Sequence, residues 1–141
     1  MIQRIQTIWL LLAGISGTLM YKLPLWNYTL ENQPKKAYYA PESLLLFILI
    51  VVAALLAFAT VFLFRNRSLQ KSLCLLGTLL SVIILILEFF RVEEMKRSLM
   101  PVANIWQPGA LMPVLMIILF MLAHGGIRRD EKIIKSLDRL R

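Results

Sequence analysis

The chain has a single cysteine and a single histidine in 141 residues. An intramolecular disulfide is thereby excluded, and a structural zinc site, which takes four ligands mostly of these two types, has no donor set. Acids are scarce as well: eight Asp and Glu against 16 Lys and Arg leave a formal net charge of +8. There is no Gly/Ser linker, no low-complexity tract and no repeat with a period of roughly 20–50 residues, so nothing divides the chain and 1–141 reads as one domain. No serine, cysteine and histidine constellation suggests covalent catalysis, and no cofactor motif is present; an enzyme is not expected.

What is abundant is apolar. The composition is 59% hydrophobic and the mean hydropathy is +0.72, which makes a bilayer the solvent for much of the chain. The positive charge therefore points to membrane insertion and anionic headgroups rather than to nucleic acid, for which no motif accompanies it.

Four runs suit transmembrane helices, at about 5–24, 44–64, 72–90 and 109–127. The first follows Arg4 and resembles the core of a signal peptide, but no Ala-x-Ala cleavage site comes after it, so a retained span is expected. Ala13 and Gly17, and Gly14 and Thr18, fall four apart on one face, as do Gly77 and Ser81 in the third run. Small residues at that spacing let another helix approach closely. Pro41 and Glu42 mark the start of the second run, and Pro113 lies near the start of the fourth, where little hydrogen bonding is lost.

Arg65-Asn66-Arg67-Ser68-Leu69-Gln70-Lys71 separates the second and third runs. So basic a short loop is held on the cytoplasmic side, and four crossings then return both termini to the cytoplasm. With that arrangement ten Lys and Arg are inside and six outside. Arg65, Arg67, Lys71, Arg128, Arg129, Lys132 and Lys135 become the expected headgroup contacts. Residues 128–141 interleave isoleucine and leucine with six cations, a pattern suited to a short amphipathic helix lying on the cytoplasmic face; a solvated tail is the competing reading.

Between the first two runs, two aromatic stretches around Trp26, Tyr28, Tyr38 and Tyr39 flank Asn32-Gln33-Pro34, which could form a hairpin on the membrane. After the third run, Val92, Met95 and Leu99 at helical spacing extend the helix until Pro101 ends it. Glu88 is the one acid near the hydrocarbon region. It lies 16 residues into its run, about 24 Å along a helix, which puts it near the far interface, with Arg91 one turn on to pair with it. A proton or ion relay through Glu88 is the sharper alternative. His124 sits at the opposite end of the fourth run, where contact with headgroups is the plainer reading. The two are too far apart to act as one acid–base pair.

The opening Met1-Ile2-Gln3-Arg4-Ile5-Gln6-Thr7, the internal Arg65-Asn66-Arg67-Ser68-Leu69-Gln70 with Cys74, and the closing Ile127-Arg128-Arg129-Asp130-Glu131-Lys132 and Ser136-Leu137-Asp138-Arg139-Leu140-Arg141 resemble the bacterial membrane family known as domain of unknown function 4293. The resemblance runs the whole length. It implies a four-helix inner-membrane protein and no activity. Together these readings give an all-α integral membrane protein of four transmembrane helices, with both termini cytoplasmic and a short amphipathic C-terminal helix. Its expected role is that of an accessory, assembly or interaction subunit, bound to another membrane protein or to itself; a small oligomeric transporter or channel is the alternative.

Overall fold

Each apolar run of the sequence is helical in the computed structural model, which describes residues 3–31, 34–63 and 66–138, and the side chains of 5–31, 34–63 and 66–133. Arg65 and the side chain of Lys135, two of the expected headgroup contacts, lie outside the described residues. The helices are α1 (Gln3–Lys22), α2 (Leu44–Phe62), α3 (Arg67–Leu99) and α4 (Met112–Asp138). Three are long and apolar enough to cross a membrane: Leu44–Phe62, Arg67–Leu99 and Pro108–Ile133. Gln6, Ser16 and Thr18 dilute the hydropathy of α1, which is not one of these three.

Packing joins α1 to α2 and α4, and α3 to α2 and α4. Small residues set the approach. A Cβ on Gly14 would stand 2.7 Å from the Phe58 ring, one on Gly17 3.0 Å from the Ala54 methyl, and one on Gly77 2.5 Å from Phe120. Ala13 and Ser81 are fully buried beside them. Polar side chains inside these helices turn back on their own backbone: Thr60 Oγ1 donates to the Leu56 carbonyl at 2.6 Å and Ser81 Oγ to the Gly77 carbonyl at 2.8 Å.

One end of the helices is held by side-chain pairs. Gln6 of α1 donates to Asp130 of α4, Lys71 of α3 pairs with Glu131 of α4, and Gln70 Nε2 donates to the Thr60 carbonyl at 3.3 Å. Two expectations change here. The basic stretch is helical from Arg67, with Asn66 Oδ1 capping the Leu69 N–H at 3.3 Å, and Lys71 pairs with Glu131. Nor do residues 128–138 form a separate helix lying flat, because α4 runs unbroken through Gly125 and Gly126 to Asp138. The Asp130 and Glu131 contacts hold its last turns against α1 and α3.

At the other end sits a three-stranded antiparallel sheet in the order β2-β1-β3, formed by β1 (Pro24–Thr29), β2 (Lys36–Tyr39) and β3 (Ala103–Trp106). The aromatic stretches do form the expected hairpin. The third strand is not legible, since β3 is only four residues long and its partner lies 80 positions earlier at Trp26↔Trp106. Leu25, Trp26 and Tyr38 are buried, whereas all four residues of β3 are exposed. The α3 extension occurs as expected and ends at Met100 in the left-handed region, φ 43°.

Gly109, in the 3-10 turn Pro108–Leu111 that leads into α4, fixes how the sheet meets the helices. A Cβ there would press into the Pro24 carbonyl and lie 2.9 Å from the Leu23 oxygen. Backbone stands on both sides of that contact and neither can swing away. Gly109→Ala is therefore expected to cost about 1–3 kcal/mol, read as a lower melting temperature in detergent together with faster proteolysis of the 24–39 hairpin. Cleavage unchanged from the parent chain would contradict the close approach.

Candidate functional site

The buried residues of α3 are Gln70, Cys74, Gly77, Ser81, Ile84, Glu88 and Val92. Their spacing of three and four traces one face of a helix, and that face is turned to the neighbouring helices. Glu88 is on it, 1% exposed, and neither of its carboxyl oxygens has a hydrogen-bond partner among the described residues. A carboxyl group in that position is costly whether neutral or charged. Buried acids without an evident structural partner are candidates for function.

The expected ion pair with Arg91 does not form. Arg91 is exposed and its Nη1 reaches Glu94 Oε2 at 3.2 Å, one turn further on, while the inward face continues from Glu88 to Val92. The surroundings of Glu88 come from the sheet instead. Tyr38 of β2, 4% exposed, lies within reach of the charges of both Glu88 and Arg91. Burial raises the Tyr38 phenol above its ordinary pKa and Glu42 adds to that, while Arg91 and a hydrogen bond with Ser43 oppose it. Trp26 stands opposite Tyr38 in the strand register and is fully buried, its indole N–H likewise without a partner among the described residues. An acid, a phenol and an indole thus collect where the sheet meets the helices.

Of the other candidates, His124 is half-buried at the basic end. Its Nδ1 is 3.3 Å from the Lys71 carbonyl, which can only accept, so Nδ1 carries the proton. Lys71 precedes Glu88 by 17 residues, about 25 Å of helix, so the histidine and the acid do remain apart. Arg128, Arg129 and Lys132 are exposed and Arg67 is half-buried. Ala13, Gly14, Gly17, Gly77 and Ser81 are used up in contacts within the chain. Among the described residues, no three His, Cys, Asp or Glu side chains gather where they could hold a metal ion.

A family model matches residues 2–140. The chain belongs to that family, Domain of unknown function (DUF4293). No curated protein and no solved structure matches the chain. In this DUF4293 chain the matched length takes in the helices, the sheet and both polar ends, so family membership covers the site without assigning it a reaction.

Sequence reasoning placed Glu88 at the interface by counting from Ser72. The signal that would have turned it inward was present: Gly77, Ser81, Ile84 and Glu88 are in phase on one face. The sequence points to a hairpin at Trp26 and Tyr38, but nothing local to either shows that a third strand helps bury them.

Proposed function

We propose that this is a four-span inner-membrane protein with both termini cytoplasmic, a four-helix bundle acting as an accessory, assembly or interaction subunit of a larger membrane complex. The four-span reading draws support from the two ends of α1. Gln6 is tied to Asp130 at one end of α4, and the Leu23 and Pro24 carbonyls lie against Gly109 just before its other end. A helix that accompanies α4 from end to end is expected to cross with it. The pairing of β1 with β3 requires residues 24–29 and 103–106 to share one side, in agreement with two crossings by α2 and α3 between them.

The subunit role is carried by the free edge of the sheet. Met100, Val102, Ile105 and Trp106 are 81%, 74%, 59% and 42% exposed, and β3 has no neighbour on its other side among the described residues. An apolar edge strand with open backbone groups suits a partner that adds a strand or covers the patch. The small-residue helix faces no longer support this role, since their contacts lie inside the chain.

Ile105→Lys tests it. The side chain touches solvent rather than core, so the melting temperature should stay within about 0.5 kcal/mol of the parent. Affinity purification from native membranes should lose a partner recovered at near one-to-one amounts with the parent chain. Recovery of the same partner with the variant, or of the parent chain alone, would contradict the role of this edge.

One observation favours the transporter or channel reading as a second choice, namely Glu88 buried without a hydrogen-bond partner among the described residues. Under that reading Glu88→Gln abolishes transport of a proton or cation, whereas assembly survives it.

A further inference from the structure

Between α3 and α4, toward the basic end, runs a groove of about 590 Å³. Its walls are mostly apolar, with Leu75, Leu79 and Met121 61%, 58% and 60% exposed along it and the Thr78 hydroxyl turned back to the Cys74 carbonyl. It ends at His124, Gly125 and Arg128. The two polar side chains are one helical turn apart on α4, and a Cβ on the intervening Gly125 would meet nothing within 4 Å, so the mouth of the groove is open at that point. The Nδ1–H of His124 is taken by the Lys71 carbonyl, which leaves Nε2 of the neutral ring as an acceptor, so Arg128 is the donor at this end of the groove.

No acid lines the groove among the described residues, and the nearby Glu131 is already paired with Lys71. An occupant therefore has a long apolar part and an anionic end. A helix of another protein fits this poorly, because covering Arg128 would bury a charge for which the groove supplies no partner. A phosphate would pair with that guanidinium in a charge-assisted hydrogen bond.

We infer that this groove holds one anionic glycerophospholipid, with an acyl chain along Leu75, Leu79 and Met121 and its phosphate against Arg128. The inference rests on the membrane-spanning reading above and adds a single saturable site to the general attraction of cations for headgroups.

The test is native mass spectrometry of the full chain in detergent, titrated with dioleoylphosphatidylglycerol or dioleoylphosphatidylcholine. The parent chain should retain one phosphatidylglycerol at concentrations where phosphatidylcholine is lost. Arg128→Gln, which removes the charge, and Gly125→Leu, which fills the mouth, should each weaken retention about tenfold. Arg97→Gln removes the same charge from the exposed sheet end of α3 and should leave retention unchanged. Equal retention of the two lipids, unchanged retention in Arg128→Gln, or an equal loss in Arg97→Gln would overturn the site. Alkaline extraction of native membranes separates the two failures. A chain that stays in the membrane yet binds both lipids alike loses only the groove, while a chain that is extracted loses the membrane-spanning reading too.

Discussion

Glu88→Leu is expected to raise the melting temperature of the purified protein, by the equivalent of about 1–3 kcal/mol. The reason lies in what the carboxyl does not touch. It is 1% exposed, on the inward stripe of α3, with no hydrogen bond to either oxygen among the described residues. Leucine puts an apolar group of similar size into the same place and removes the cost of desolvating an acid. A gain in stability from deleting a charged residue would mean that Glu88 is kept for something other than folding. Glu88→Gln separates the two functional readings, since it preserves the shape but cannot carry a proton; intact assembly with lost transport would move the second reading to first place. A fall in stability for Glu88→Leu would show that the carboxyl has a structural partner after all, and would remove it as a functional candidate.

Gly77→Ala is expected to act in the opposite direction, costing about 1–3 kcal/mol. The added methyl would sit 2.5 Å from Cε1 of Phe120, a ring that is itself fully buried and has no room to withdraw. Phe120→Leu in the same chain should recover at least half of the loss, because the smaller side chain vacates the space that the methyl needs. Thermal melting of the parent, both single variants and the double variant forms a cycle whose coupling term reports this contact. Additive losses would contradict the packing of α3 on α4 through Gly77.

The helices were the legible part. Uninterrupted apolar runs bounded by Pro41, Glu42 and the Arg65–Lys71 stretch are local signals, and so is the Val92, Met95 and Leu99 spacing that carries α3 beyond its apolar run to Leu99. Long-range pairs were not. Gln6 with Asp130 and Lys71 with Glu131 join residues whose types say only that they are polar, and the basic tail looked like a surface helix because its anchors to α1 and α3 cannot be read locally. The site shows the same division. Glu88 could be named from sequence as the one acid beside the hydrocarbon, but its lack of a partner among the described residues depends on Arg91 turning outward to Glu94. Its proximity to Tyr38 depends on a strand register that no short-range rule supplies.

The proposed orientation of four spans underlies both the subunit reading and the lipid groove, and α1 is the proposed span that is not among the three helices long and apolar enough to cross a membrane. Reporter fusions after Lys35, Arg67, Asn104 and Arg141 test it most directly, with an enzyme active only outside the cytoplasm and one active only within. The account predicts an external signal from the Lys35 and Asn104 fusions and a cytoplasmic signal from those after Arg67 and Arg141. A cytoplasmic signal after Lys35 or Asn104 would contradict it.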